Sequence, residues 1–206
     1  LHEARDIYWG TVAGWKEKYE VTDEEVFHLF SDKSAWRRSI FPGYKQNRKG
    51  MAKPLGYLSM RSELLDLPNS FCYSQIEADD LIGMFATLNQ GEWSIIASGD
   101  KDLNQIPGWH IWMDKEPVLI EKDQAELFTW QQYLVGDSTD GIPGCPSIGN
   151  VRAEKIVQTF DLQDPVGCWK EVVRTYEKAK VDDAEAFALL QARLVRILRW
   201  GEYNTT

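Results

Sequence analysis

Segments that read as strands alternate with segments that read as helices over the first 121 residues, and this alternation restricts the fold more than any other feature. The strand-like segments are residues 25–30 (EVFHLF), 71–74, 93–98 (WSIIAS), 109–113 and 117–121. This order is typical of a mostly parallel sheet covered by helices. We therefore predict an α/β fold.

Helical patterns fill the spaces between these strands and then the rest of the chain. They cover residues 3–19, 55–67, 77–88, 127–135, 150–160, 165–178 and 183–199. We predict two units, an α/β core over residues 1–135 and a helical lobe over residues 136–206. No Pro/Gly/Ser-rich linker separates them, so we expect one packed body.

Acidic side chains follow the predicted strands. They are Asp32 after the first strand, Glu77, Asp79 and Asp80 after the second, Asp100 and Asp102 after the third, and Asp137 and Asp140 at the start of the lobe. The carboxyl ends of strands in an open α/β sheet are where active sites form. Asp137 and Asp140 are three residues apart, so on a helix they would share a face.

Carboxylates that meet in one cleft repel each other unless cations lie between them. Oxygen ligands select Mg²⁺ or Mn²⁺, and the chain has only three His and three scattered Cys for a zinc site. Two such ions roughly 3.5–4 Å apart would bind a phosphodiester for in-line hydrolysis. Taken singly, each acid could instead cap a helix or a turn. Their joint placement favours the metal site.

A basic segment stands out because the chain as a whole is acidic, with a net charge of −9. Residues 33–61 contain eight Lys and Arg and no Asp or Glu. Candidate contacts to a phosphate backbone or to unpaired bases are Arg37, Arg38, Tyr44, Lys45, Arg48, Lys49 and Lys53. The alternative is a solvated loop, which the absence of acids disfavours.

A Gly-rich turn, GIPGCPSIG at residues 141–149, precedes a predicted helix. Such a turn presents backbone N–H groups that can bind a phosphate. Gly144, Ser147 and Gly149 are the candidate DNA contacts. The alternative is an ordinary turn between helices.

Four motifs together resemble the 5′-nuclease, or flap endonuclease, superfamily. In chain order they are FSDKSAWRRSIFPGYKQNRK at 30–49, EADD at 77–80, SGDKDLNQI at 98–106 and GDSTDGIPGCPSIGNVRAEKIV at 136–157. The segments NRKGMAKPLGY and RILRWGEYN are most similar to compact bacteriophage 5′–3′ exonucleases. The resemblance covers residues 26–160 well and the tail patchily.

The resemblance implies a PIN-like α/β core, a basic helical arch at residues 33–61 and a helix-hairpin-helix lobe. It assigns Asp32, Glu77 and Asp79 to a first metal ion, with Asp80 alongside, and Asp79, Asp100, Asp102 and Asp140 to a second, with Asp137 close by. Lys45 and Arg48 correspond to arch residues that contact the scissile phosphate. The 141–149 turn corresponds to the element that holds duplex DNA and, in many members, K⁺ through backbone carbonyls.

Two departures from the family pattern bear on activity. The family begins with a strand that ends in Asp-Gly and supplies a ligand to the first metal, whereas residues 3–19 read as the helix that would follow. The start at Leu1 rather than Met agrees with a missing upstream part. In addition, Gly141 stands where many members have Asn.

The leading hypothesis is a Mg²⁺-dependent 5′–3′ exonuclease and flap endonuclease that leaves 5′-phosphate products. The alternatives are a non-catalytic module that binds DNA structures, because the first Asp is absent, and a small PIN-type ribonuclease. The expected partners are DNA with 5′ ends or flaps, and RNA in RNA–DNA hybrids. We expect a monomer without membrane contact, in the cytoplasm of a bacterial or phage-infected cell, because no signal segment or span of ~20 apolar residues is present.

Overall fold

The computed structural model describes residues 2–88, 94–113 and 115–203. Its strands are β1 (His28–Leu29), β2 (Ser70–Phe71), β3 (Ile95–Ala97), β4 (Gly108–Ile111) and β5 (Val118–Ile120). Its helices are α1 (His2–Tyr19), α2 (Arg37–Ile40), α3 (Tyr57–Leu65), α4 (Ala78–Leu88), α5 (Lys122–Val135), α6 (Asn150–Val157), α7 (Pro165–Lys178) and α8 (Ala184–Val195). Short 3₁₀ turns cover Asp23–Glu25, Gln46–Arg48 and Lys101–Gln105.

The predicted α/β fold with parallel pairing is confirmed. β1 pairs in parallel with β2, and β3 pairs in parallel with β4, while β5 joins β4 in the antiparallel sense. In the described part of the chain the strands form two sheets and are shorter than predicted. Trp93, the predicted first residue of the third strand, lies outside the described residues.

Helix positions agree with the sequence pattern, and the boundaries differ for physical reasons. Helix α5 begins at Lys122, earlier than predicted, because Glu121 and Gln124 form a capping box. Helix α8 ends at Val195, earlier than the predicted residue 199. The chain turns extended there because the N–H groups of Ile197 and Leu198 donate to side chains of the core instead of continuing the helix.

The main hydrophobic core lies among α5 to α8. Its buried members include Leu134, Val172, Tyr176 and Ala188. A smaller core beneath β3 contains Ile96, Leu103, Ile106 and Ile197, so the extended end after α8 belongs to it. Among the described residues, no helix is long and apolar enough to cross a membrane.

The basic segment divides into two parts. Residues 37–48 pack on the molecule: Tyr44 is in the main core, and the Lys45 N–H donates to the Asp140 carbonyl at 2.8 Å. Residues 49–58 are largely exposed, including Met51 and Leu55, and α3 then begins at Tyr57. The first part is therefore fixed near the acids, while the second extends into solvent.

Candidate active site

The first turn of α4 carries three of the predicted acids. Glu77 precedes the helix, and its carbonyl accepts the first helical bond, from the Leu81 N–H at 3.1 Å. Asp79 and Asp80 follow one position apart on the helix and so point in different directions. Asp79 lines a cavity between the two halves of the chain, whereas Asp80 is 0% exposed.

Five predicted acids line this one cavity. They are Glu77, Asp79, Asp102, Asp137 and Asp140, with Arg37, Tyr44 and Gln132 beside them. The prediction that the acids of separate motifs meet is supported for these five positions. In the described residues, however, no three acidic, His or Cys side chains are arranged as the ligands of a single ion.

Asp100 and Asp102 lie on the 3₁₀ turn that follows β3. Asp100 Oδ1 accepts the Asp102 N–H at 2.9 Å and so caps the turn. Asp102 Oδ1 accepts from Gln132 Nε2 at 2.7 Å, which fixes the carboxylate toward the cavity. Gln132 is not among the site residues predicted from the sequence. The pattern that could have identified it is a polar side chain on the face of α5 that also buries Ala125 and Thr129.

Asp137 and Asp140 occupy a tight turn and not a helix, so their spacing of three does not place them on one helix face. Asp137 pairs with Ile142 as an isolated bridge, through N–H to carbonyl bonds of 2.9 and 2.7 Å. Gly136 makes the turn possible with φ of +70°, since a Cβ there would lie 2.4 Å from the Ile142 carbonyl oxygen. The turn directs both carboxylates to the cavity.

Lys45 and Arg48 from the basic segment reach the same acids. Lys45 Nζ lies 2.6 Å from Glu77 Oε1 and 3.3 Å from Asp140 Oδ2. Arg48 pairs with Asp140 Oδ1, yet that buried oxygen has no aligned hydrogen bond from any described residue. The two cations therefore stand at the cavity but leave part of its negative charge unpaired.

Asp80 and Arg37 form a buried ion pair, which corrects two assignments. Arg37 donates to both oxygens of Asp80, at 2.6 and 2.8 Å, and to Glu77 Oε2 at 2.8 Å. Asp80 also accepts from Trp36 Nε1 and from the Leu198 N–H. With all its lone pairs engaged, Asp80 is unsuited to ligate metal, and Arg37, 4% exposed, is unsuited to bind DNA.

Two more predicted residues lie in places that change their expected roles. Tyr44 is only 3% exposed, and its hydroxyl lies 2.9 Å from Glu77 Oε2, so it positions that acid instead of stacking on a base. Asp32 is absent from the cavity lining among described residues. Its Oδ2 accepts from the Gln75 N–H and from Ser34 Oγ, so Asp32 joins the segment that follows β1 to the segment that follows β2.

The remaining predicted DNA contacts are mostly exposed. Arg38, Lys49 and Lys53 face solvent, as do Ser147 and Gly149 at the start of α6. Gly144 is different, because it is buried and its N–H donates to Gln191 Oε1 at 3.0 Å. Its φ of +67° places it where a Cβ would lie 2.2 Å from the Val135 carbonyl oxygen. Gly144 therefore shapes the turn and does not bind phosphate with its N–H.

Burial and the crowding of acids change the pKa values of several of these carboxyl groups. Burial, followed by the charge of Asp100, raises the pKa of Asp79 to about 7. Burial, followed by the charges of Asp100 and Asp137, raises the pKa of Asp102 to about 6. In contrast, the N–H groups of Gln75 and Lys33 lower the pKa of Asp32 to about 2. The cavity thus favours a proton or another cation at Asp79 and Asp102.

We expect Mg²⁺ to raise the melting temperature more at about pH 8 than at about pH 5.5. The pKa of Asp79 rises from its ordinary 3.8 on folding, so its stabilising contribution is present below 3.8 and is lost as the pH rises through 7. A divalent cation that replaces the proton restores it at high pH. Thermal unfolding with Mg²⁺ or EDTA at both pH values measures this difference.

The matched variants separate this effect from general screening of charge. Asp79→Asn should reduce the pH-dependent part of the Mg²⁺ stabilisation, while Asp182→Asn, at an exposed position outside the cavity, should leave it unchanged. Equal stabilisation by Mg²⁺ at both pH values would contradict the expectation that the cation replaces a proton at Asp79.

Residues 11–132 match the family model of the 5′–3′ exonuclease N-terminal, resolvase-like domain. The chain belongs to this 5′–3′ exonuclease family. It is 29% identical to the exodeoxyribonuclease of Enterobacteria phage T3, over 98% of this chain and 78% of that protein. It is 30% identical to flap endonuclease Xni of Shewanella woodyi, over 87% of this chain and 77% of that protein.

Solved structures of proteins from bacteriophage T5 share the fold of this member of the 5′–3′ exonuclease family. A T5 D15 flap endonuclease in a complex with DNA and metal ions has a TM-score of 0.72 at 19% identity, covering 91% of this chain and 79% of that one. The T5 D15 protein co-crystallised with metal ions has a TM-score of 0.70 at 17% identity, covering 91% and 80%. The resemblance found in the sequence is thereby confirmed.

Proposed function

We propose that this member of the 5′–3′ exonuclease family is a metal-dependent 5′–3′ exonuclease and flap endonuclease. It hydrolyses DNA phosphodiesters near 5′ ends and leaves 5′-phosphate products. The observation that carries the proposal is the meeting of Glu77, Asp79, Asp102 and Asp140 at one cavity with Lys45 from the basic segment. Phosphoryl transfer requires this combination of oxygen ligands and a cation directed at phosphate.

The donor set of the cavity fits divalent cations with oxygen preference, Mg²⁺ or Mn²⁺. Asp140 meets the cations Lys45 and Arg48, and the pKa values of Asp79 and Asp102 are raised, so the carboxylates of the cavity attract positive charge. Glu77 and Asp79 would hold one ion. Asp102, Asp137 and Asp140, which are not arranged around one point in the described structure, would move together with Asp79 to hold a second ion, and Asp100 adds charge from its exposed turn.

Two bound ions would supply an activated water and stabilise the leaving oxygen. The protein's own residues orient the participants. Gln132 fixes Asp102 through its 2.7 Å bond, and Arg37 with Tyr44 fixes Glu77. Lys45 and Arg48 turn from their present acid partners to the scissile phosphate, where their charge offsets that of the reacting group.

DNA reaches the cavity over exposed basic side chains. Arg38, Lys49 and Lys53 supply phosphate contacts on the arch side. At the lobe, the start of α6 presents N–H groups at Ser147 and Gly149 to the backbone of the duplex. The Gly-rich turn at residues 141–149 is also the candidate K⁺ site. These contacts are independent of base sequence, and RNA strands of RNA–DNA hybrids present the same phosphates.

The decisive experiment incubates 5′-labelled flap DNA with the protein in Mg²⁺ and, separately, in EDTA. Short 5′ fragments that appear only with Mg²⁺ would support the proposal, and a phosphatase-sensitive 5′ end on the remaining downstream strand would confirm the products. Binding without cutting would favour the non-catalytic DNA-binding alternative. RNA cleavage without DNA cleavage would favour the ribonuclease.

Lys45→Ala should slow flap cutting about 100-fold while weakening flap binding much less. In the proposed function its ammonium group acts on the scissile phosphate next to the acids. It makes only one of several contacts to the DNA backbone, so binding depends on it less than cutting does. Single-turnover cutting rates and fluorescence anisotropy measure the two effects. Lys178→Ala, at the end of α7, is the control of equal charge change. An unchanged rate for Lys45→Ala would refute the arch assignment.

A further inference from the structure

Trp112 lies at the same edge of the sheet as the acids that follow β3. It directly follows β4, whose Ile111 pairs in parallel with Ala97 of β3. The Ser98 N–H donates to the Ile111 carbonyl at 3.1 Å, which carries the pairing one step further. Gly99 and Asp100 come next on the neighbouring strand, so Trp112 stands beside the start of the acid-bearing turn.

The indole ring of Trp112 covers Gly99. A Cβ built on Gly99 would lie 2.8 to 3.1 Å from three atoms of the ring, so only glycine permits this approach without a shift. The contact holds one side of the ring against the backbone. A fixed ring loses little conformational freedom when a ligand binds to it.

Packing accounts for only part of this side chain. Trp112 remains 42% exposed despite its contact with Gly99. Within the described residues, its indole N–H donates to no acceptor, and its ring forms no aromatic pair and no contact with a cation. A large exposed ring with an unused polar group, seated on Gly99 beside the turn that carries Asp100 and Asp102, is suited to bind a ligand.

We propose that Trp112 stacks on an unpaired base of the DNA strand whose phosphate enters the cavity. The proposal rests on the proposed nuclease function and names one contact to its substrate. Every base offers a π-face, so stacking on an aromatic side chain holds a nucleotide without selecting its sequence. A nuclease directed to 5′ ends and flaps requires such a contact, because the unpaired nucleotide must be held while its sequence varies.

The test uses 5′-flap DNA with 2-aminopurine placed in turn at each position around the cleavage site. The protein is bound without Mg²⁺, in Ca²⁺. Wild type should quench 2-aminopurine fluorescence strongly at one position, and Trp112→Leu should abolish that quench and weaken the Kd about 5- to 100-fold. Trp112→Phe should retain most of both effects, because it keeps an aromatic face.

Trp200→Leu is the matched control. Trp200 is 61% exposed, and its backbone N–H donates to Thr87 Oγ1, which lies near the end of α4 that is far from Asp79. This variant should bind and quench like wild type. An abasic site at the quenched position should weaken wild type as much as Trp112→Leu does, and should not weaken Trp112→Leu further.

The outcomes separate the two proposals. If wild type cuts flap DNA while Trp112→Leu binds and quenches as wild type does, the stacking proposal is wrong and the nuclease proposal stands. If wild type neither binds nor cuts flap DNA, both are wrong. Loss of quenching in Trp112→Leu, with recovery in Trp112→Phe, supports the stacking.

Discussion

Asp102→Asn should reduce the cutting rate by about 1000-fold or more, equivalent to about 4 kcal/mol of transition-state stabilisation. The asparagine keeps an oxygen that can accept from Gln132 Nε2, so the local hydrogen bond and the fold should persist. What is lost is the negative charge toward the cations that the cavity binds. Flap binding should change little, because the proposed function places this carboxylate against metal and not against DNA.

Single-turnover cutting of a labelled flap in Mg²⁺, together with anisotropy in Ca²⁺, measures both quantities. Asp182→Asn, which makes the same chemical change at an exposed position, should cut at the wild-type rate. Cutting by Asp102→Asn at near the wild-type rate would remove Asp102 from the metal ligands. A parallel loss of binding and cutting would instead indicate a folding defect.

Arg37→Met should lower the free energy of unfolding by about 3–5 kcal/mol, the typical cost of breaking a buried ion pair. Methionine fills much of the space of the arginine stem but leaves the charge of Asp80, which is 0% exposed, without its partner. The bonds from the guanidinium to the carbonyls of Leu194 and Arg196 are lost as well. Urea unfolding followed by tryptophan fluorescence measures the change.

Two further variants identify the source of that loss. Arg174→Met breaks an exposed pair with Glu171 and should cost at most about 1 kcal/mol. Adding Asp80→Asn to Arg37→Met should recover part of the stability, because it removes the unpaired buried charge. If Arg37→Met costs no more than Arg174→Met, Asp80 is not held by Arg37 and its role as a metal ligand must be reconsidered.

Local sequence patterns predicted most of the elements of this fold. Helices α1, α4 and α7 follow their apolar periodicity, and the order of strands and helices indicated the α/β class. The ends of α8 and the length of the strands were less predictable, because they depend on bonds between distant segments. The Ile197 N–H leaves the helical pattern to bond Gln105, 92 residues away.

The candidate site shows the same division. Motifs placed Asp79 and Asp102 near each other because carboxyl ends of strands converge. The sequence could not separate Asp79 from Asp80, since both stand in one helix turn, and only the position of Arg37 distinguishes them. A spacing of three between Asp137 and Asp140 is compatible with a helix and with a turn, so the sequence alone did not decide between them, and the structure places both residues on a turn.

The bonds from Arg37 to Leu194 and Arg196 join residues that are 157 and 159 positions apart. Closure of so long a loop is an entropically costly and slow event in folding. During synthesis the acids of α4 leave the ribosome long before the segment that helps to hold their arginine. The cavity is therefore completed only after residues 194–196 have been synthesised, and shorter nascent chains carry its acids without the arrangement that orders them.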